Sequence, residues 1–485
     1  MKNSYVTVTD QFCGAGGSSL GATAAGCEVV LAMNHWELAI ETHNTNFPQT
    51  THVQADISQV DPRRYPSTDI LITSPECTNH SLAKGQARKN IGQLELWGNG
   101  NRIDPAAERS RATMWDVPRF AEFHNYEIVI VENVVDARYW RLFDAWIHAM
   151  RLLDYDFGIV YFNSMFAHPT PQSRDRMYVV FWKRGNRRPD LAITPKAWCG
   201  QCERDVDAFQ SWKKGTPWGR YRKQYVYRCP HCLAEVEPYY YAAANAIDWT
   251  DPGQRIGDRD KPLKPRTLER VRYGLEKFGA APAFTSVNYF DPRPREITEP
   301  LPTQTTASKL ALSVPQPFIL GYYTRANPAV NRVDEALPTQ SAQPRHYLVQ
   351  PEPYIVELRR TGKARAITEA LATVTAGGNH HGLVQPQPFI TSYYGSAKGG
   401  TPIADPVGTV TTVDRHGLVV PDGELRVEDC YFRMLKPEEI GRAMAFPEEY
   451  VVKGNKRERV RQYGNAVTPP VMSILINRCV ATLAG

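Results

Sequence analysis

Between residues 5 and 185 the chain alternates short apolar runs with longer mixed stretches. The runs Tyr5–Val8, Val29–Ala32, Asp69–Ile72, Ile128–Val131 and Met177–Phe181 are bounded by polar residues and read as buried strands. The stretches between them are long enough for helices. Strands that alternate with helices predict a mainly parallel sheet covered on both faces, an α/β doubly wound arrangement. Residues 84–112 break the pattern, being polar and Gly-rich, and read as a long loop. After about residue 190 a Cys-rich stretch appears, then a basic helical stretch at Pro265–Phe278. From about residue 430 a helical pattern resumes, and the closing PPVMSILINRCVATLAG fits an amphipathic helix.

Residues 282–421 repeat themselves. The segments PLPTQTTASKLALSVPQPFI, ALPTQSAQPRHYLVQPEPYI, ALATVTAGGNHHGLVQPQPFI and PVGTVTTVDRHGLVVP align on Thr303, Thr339, Thr373 and Thr409, at steps of 36, 34 and 36 residues. A fixed step of this size marks a repeated supersecondary unit. Its Thr, Val and Pro content favours strands and turns. With 42% hydrophobic and 22% charged residues, the chain cannot be wholly disordered. No apolar run is long enough to span a membrane, and the N-terminus lacks the charged-then-apolar pattern of a secretory signal. The net charge of +6 barely favours a nucleic-acid partner by itself. We expect a cytoplasmic, monomeric protein.

The candidate chemistry lies at the ends of the predicted strands. Phe12-Cys13-Gly14-Ala15-Gly16-Gly17-Ser18-Ser19 follows the first strand, where glycines let backbone approach a ligand. Asp56, beside Ile57, sits where a third strand would end and could accept hydrogen bonds from a nucleoside. Ser74-Pro75-Glu76-Cys77-Thr78 places a thiol at the end of another strand, where a thiolate could act as nucleophile. Glu132-Asn133-Val134 ends a strongly apolar strand, and a partly desolvated carboxylate there suits proton donation. Arg174 and Arg176 are two residues apart on the way into the Met177–Phe181 strand, so both could face one anion or base edge. Taken singly, a Gly-rich turn is often only a turn, a loop Cys inert and an Arg pair a surface feature.

Taken in order, these motifs resemble the C5-cytosine DNA methyltransferases. The likeness continues in Arg433-Met434-Leu435-Lys436-Pro437-Glu438-Glu439, in Met444-Ala445-Phe446-Pro447 and in Gln462-Tyr463-Gly464-Asn465-Ala466-Val467. It covers about residues 5–185 and 430–484, and the region between lies where that family places its variable target-recognition segment. The resemblance implies a Rossmann-like catalytic core (residues 1–190 and 429–485) that uses S-adenosylmethionine on double-stranded DNA, for restriction protection or for phage or prophage genome marking. Cys77 would add to C6 of a flipped cytosine, Glu132 would contact N3 and the exocyclic amine, and Arg176 with Arg174 would bind O2 and the reacting region. Phe12, Gly14, Gly16, Asn34, Asp56, Ile57, Pro75, Asn465 and Val467 would form the cofactor pocket. The chain departs from the family where Glu76 and Thr78 flank Cys77, in place of Pro and Gln. It departs again at Asn34, where an acid for the ribose hydroxyls is usual, with Glu37 a possible substitute. Two other readings use the same residues: an RNA C5-cytosine methyltransferase and a catalytically impaired DNA-binding relative. The repeat-bearing region favours DNA.

Four of the nine cysteines form two knuckles, Cys199-Gly200-Gln201-Cys202 and Cys229-Pro230-His231-Cys232. Paired knuckles offer four thiolates to one tetrahedral structural zinc, so residues 191–240 read as a zinc-ribbon insertion. Between them, residues 211–228 carry six Lys and Arg and no acid, interleaved with aromatics, which suits phosphate contact and base stacking. Residues 241–428 read as a strand-rich target-recognition domain built on the four repeats.

Overall fold

The structure is a computed structural model. It describes residues 5–75, 113–265 (apart from 216, 242, 247, 249, 250 and 252), 268, and 427–483 (apart from 430). Between residues 284 and 419 it describes the backbone of short strands. Cys77 with its neighbours Glu76 and Thr78, the 84–112 stretch, most of Pro265–Phe278 and the turns of the repeats lie outside the described residues.

Among the described residues, eight strands and four helices make up the first part of the chain. The strands are β1 (Thr7–Gln11), β2 (Glu28–Asn34), β3 (Thr51–Gln54), β4 (Ile70–Thr73), β5 (Ile128–Val134), β6 (Tyr155–Asn163), β7 (Gln172–Ser173) and β8 (Asp175–Lys183). The helices are α1 (Gly17–Ala24), α2 (Glu37–Asn46), α3 (Asp116–His124) and α4 (Phe143–Leu152). All but β7 form one sheet in the order β3-β2-β1-β4-β5-β8-β6. Strands β1 to β5 pair in parallel, whereas β8 runs antiparallel to both β5 and β6. The sheet is therefore mixed at one end. Ile70–Thr73 and Ile128–Val131 are buried throughout, as expected for strands covered on both faces. The unforeseen strand is β6, whose apolar residues are interrupted by Asp156 and Gly158.

The chain returns to this sheet at its far end, through α5 (Pro437–Ala443), α6 (Lys456–Asn465) and α7 (Pro469–Val480). Helix α7 lies against α1 at backbone distance. A Cβ added at Gly21 would sit 2.6 Å from the Pro469 carbonyl oxygen and 2.7 Å from Met472 Cβ. One added at Gly17 would strike the Val467 carbonyl. The spacing of Gly17 and Gly21 puts both on one side of α1, the side that receives the return segment. Asn46 and Val451 exchange two hydrogen bonds, at 2.8 and 3.0 Å, and tie the same segment to α2.

The Cys-bearing insertion forms the hairpin Lys196–Cys199/Arg204–Asp207 and a three-stranded sheet of Phe209–Trp212, Tyr225–Arg228 and Glu235–Val236. Its Ala197, Val206, Tyr225, Tyr227 and Val236 are part of the same continuous apolar core as the large sheet. Within the repeat region, Leu310–Ser313, Tyr354–Glu357 and His381–Val384 join Tyr431–Met434 and Gln254–Arg255 in a five-stranded sheet. Among the described residues no helix is long and apolar enough to cross a membrane.

Gly21→Ala is expected to destabilise the fold by about 1–3 kcal/mol, the usual range for overpacking a close contact, although Ala is the better helix former. Thermal unfolding checks this, and an unchanged or higher midpoint would contradict the close approach.

Candidate active site at the carboxyl ends of the sheet

Strand order reverses between β1 and β4, and in such sheets the ligand crevice lies outside the carboxyl ends of the strands at the reversal. The chain leaves β1 through a strained turn. Phe12 adopts φ 57°, costly for an aromatic residue, and Gly14 and Gly16 follow at φ 52° and 83°. Among the described residues, a Cβ at Gly14 would meet only the Phe12 carbonyl oxygen, at 3.8 Å. Gly16 is hemmed in instead: Tyr450 donates its hydroxyl to the Ala15 carbonyl at 2.5 Å and would collide with any side chain at Gly16.

A buried carboxylate supports this turn from below. Asp10 accepts the hydroxyls of Ser18 and Ser19 at 2.6 and 2.7 Å, which fastens the start of α1 to β1. Burial pushes the Asp10 carboxyl up to about 6 against the lowering by the two serines. Ser19 also meets His43 Nε2 at 2.9 Å, and His43 Nδ1 meets His52 Nε2 at 2.8 Å. Burial, and then the neighbouring His52, push His43 down to about 3, so this imidazole stays neutral. Asp10 lies beyond the strand Tyr5–Val8 read from sequence, in the polar end of β1.

The other expected pocket residues fall along the same rim. Asn34 ends β2, is buried, and accepts the Trp36 N–H at 2.9 Å. Asp56 follows β3 and caps the turn Ile57–Gln59, accepting the Ser58 N–H at 3.1 Å and Gln59 Nε2 at 3.0 Å. Ile57 and Pro75 are buried. Asn465, the last residue of α6, is exposed, while Val467 is buried beside Gly17. Polar side-chain atoms of Gln11, Thr73 and Ser74, at the ends of β1 and β4, are shielded from solvent and have no hydrogen-bond partner among the described residues. Unpaired buried groups are costly, and clustered at a rim they mark where a polar ligand would be accommodated.

The two arginines part company. Arg176 brings Nε to 2.7 Å from Glu132 Oε1, and both side chains are about nine-tenths buried. Arg174 instead donates to the carbonyls of Gly464 and Ala466, at 3.0 and 3.1 Å, and so holds the return segment. The alternation argument fails for a local reason. Strand β8 begins at Asp175, so Arg174 lies in the approach to the strand and is not bound by its parity. Asn133 carries a role that sequence left open. Its Nδ2 donates to the Pro75 carbonyl at 3.3 Å, tying the end of β5 to the segment that leads to Cys77. In the insertion, the sulfurs of Cys199, Cys202, Cys229 and Cys232 lie within 4.8 Å of one another.

Comparison with known proteins follows the same layout. The family model for C-5 cytosine-specific DNA methylase matches residues 6–203 and 345–481, well over half of the chain. The chain belongs to this family. The methylase match thus includes the Gly-rich turn, Glu132, Arg176 and the 462–467 segment, and leaves out residues 204–344. Among individual relatives, the chain is similar to the type II methyltransferase M.HgiGI of Herpetosiphon aurantiacus, with 35% identity over 115 residues, 23% of this chain and 89% of that one. It is 28% identical to M.HgiDI of the same organism over 181 residues, 36% of this chain, and spans about half (52%) of that relative's length. A triple mutant of DNMT2 from Spodoptera frugiperda is similar in structure, with a TM-score of 0.45 and 13% identity over 98% of this chain and 99% of that one.

The buried Asp10 generates a pH prediction. With its carboxyl raised from 3.8 to about 6, the folded chain keeps a proton that the unfolded chain has already released. The associated stability is therefore full below the unfolded value and is lost as pH rises through 6. Relative to Asp10→Asn, the wild type should lose on the order of 3 kcal/mol between pH 4 and pH 7. Paired denaturant titrations across that range check it, and a pH-independent difference would contradict it.

Proposed function

We propose that the chain is a DNA (cytosine-5-)-methyltransferase that acts on a cytosine within a specific sequence of double-stranded DNA. The observation that carries this reading is the buried Glu132–Arg176 pair at the ends of β5 and β8, with Nε 2.7 Å from Oε1. Beside it, β4 runs toward Cys77, and Asn133 ties the Pro75 backbone to β5.

Carbon 6 of cytosine cannot be attacked within the base stack, so the base must leave it. Cys77 then adds its thiolate to C6. Glu132, at N3 and the exocyclic amine, favours the ring form that accepts charge. Arg176, at O2, stabilises the charge that develops on the ring, a term that is large in a site closed to water. Addition makes C5 nucleophilic, and loss of the C5 proton after substitution lets the C6–S bond break and frees Cys77. S-adenosylmethionine, when bound, supplies an electrophilic methyl group. The strained Phe12 turn, the space the described residues leave over Gly14, and the Gln11 and Ser74 groups without a partner among those residues fit such a ligand, with Gly16, Asn34, Asp56, Ile57, Pro75, Asn465 and Val467 as the residues that would hold it. Arg174 serves this site by fastening the 464–466 backbone.

In the same reading the four thiolates hold one structural zinc. A tetrahedron with Zn–S bonds of about 2.3 Å has edges of roughly 3.8 Å. The Cys199–Cys232 and Cys202–Cys229 sulfur separations are 3.4 and 3.8 Å. Four thiolates leave no open position, so the metal would shape the insertion and take no part in chemistry. The repeats of residues 282–421 would read the target sequence.

A duplex with 5-fluorocytosine at the target should trap the wild-type chain covalently, because no C5 proton remains to eliminate. Cys77→Ser should form no adduct and lose methyl transfer, the hydroxyl being a far weaker nucleophile at neutral pH. Active Cys77→Ser protein, or methylation of tRNA but not duplex DNA, would overturn the proposal.

A further inference from the structure

The insertion does more than sit on the catalytic sheet. Two consecutive residues of its turn, Arg220 and Tyr221, reach the two strands that supply Glu132 and Arg176. Arg220 places its guanidinium 2.6 Å from Asp136 Oδ2, and Asp136 is buried in the turn that leaves β5 four positions after Glu132. The Tyr221 backbone N–H donates at 3.0 Å to Oδ1 of Asp175, the first residue of β8 and the neighbour of Arg176. Arg176 in turn donates to the Asp175 carbonyl at 3.1 Å. Arg220 also faces Asp175 closely enough to lower a carboxyl that burial raises to about 6. Arg220 thus meets the buried Asp136 directly, and the next residue holds Asp175 beside Arg176.

The turn that carries these residues is well braced. Gln224 Oε1 accepts the Arg220 N–H at 2.8 Å, and the Gln224 N–H returns to the Arg220 carbonyl at 2.9 Å. Tyr221 packs edge-on against Phe166 at 4.9 Å, and Trp218 meets Tyr139, from the same turn as Asp136, at 4.6 Å. Strand Tyr225–Arg228 then runs directly into Cys229. The thiolate cluster is therefore one short strand away from the contacts to β5 and β8.

We propose that Arg220, with Asp136, is a positioning pair through which the four-cysteine insertion sets the Glu132–Arg176 geometry. The proposal rests on the reading of Glu132 and Arg176 as the groups around the target base. Such groups are sensitive to placement, since an ångström of displacement can cost about a hundredfold in rate. Elsewhere on this turn, Lys213 donates to the Arg222 carbonyl and Arg222 pairs with Glu237, whereas Arg220 reaches the buried Asp136 beyond β5.

The test is single-turnover methyl transfer by the full-length, metal-loaded chain at saturating duplex and S-adenosylmethionine. The variants are Arg220→Met, Arg220→Lys, Asp136→Asn and the double variant Arg220→Met/Asp136→Asn. Arg220→Met and Asp136→Asn should each slow the step by about ten- to a hundredfold. Cofactor affinity and a content of about one zinc per chain should be unchanged. Arg220→Lys should restore most of the rate, and the double variant should be no slower than either single one, because the two act as one unit. A wild-type rate in Arg220→Met would overturn the inference. So would a defect confined to duplex affinity, the mark of a phosphate contact, or multiplicative losses in the double variant. Glu132→Gln, run in parallel, separates the two levels. If it turns over normally, the reading of the site has failed. If it is dead while Arg220→Met is normal, only the positioning role has.

Discussion

The fold depends on a contact between residues more than 400 positions apart. Tyr450 bonds to the Ala15 carbonyl, and the backbone of Val467 and Pro469 lies against Gly17 and Gly21. No side chain larger than hydrogen fits at these two helix positions without displacing the return segment. The approach closes the Gly-rich turn from the far end of the chain and brings the 464–467 backbone within reach of Arg174. A core interrupted by a long insertion and a repeat region is made into one unit by two glycines and a tyrosine.

Electrostatics at the rim follows from burial. Glu132 and Arg176 are removed from water together, so each is the other's partner. Such a pair is costly to break, because removing one member leaves an uncompensated buried charge. Asp10 is buried and Asp175 half-buried, each against hydrogen-bond donors, and the loss of water raises both to about 6. Each lies next to backbone of the candidate site: Asp10 beneath the Phe12 turn, Asp175 beside Arg176. An acid anchors each half of the candidate site, one by serine hydroxyls and the other by the N–H of Tyr221.

Much of this was legible in the sequence, to different depths. Strands β4 and β5 stand out because they are apolar on both faces. The start of the sheet is blurred: Tyr5–Val8 reads as the strand, but β1 is Thr7–Gln11, since Asp10 and Gln11 hide its buried end. Strand β6 escaped notice because Asp156 and Gly158 break its run. The rim residues could be named from motif order. What their side chains hold could not, and Arg174 shows why: its direction depends on where β8 begins, and its partners lie 290 and 292 residues away. The knuckles announced the thiolate cluster, whereas nothing in the local pattern of Arg220 pointed to Asp136, a contact made across the tertiary fold.

The central claim is that these motifs assemble into a site for carbon methylation of cytosine in duplex DNA. Methylation mapping of DNA from a cell that expresses the full chain tests it most directly. The account predicts 5-methylcytosine, confined to one recurring sequence context and absent when Cys77 is replaced by Ser. No methylation from well-expressed, folded protein, or a methyl group on the exocyclic nitrogen, would contradict it.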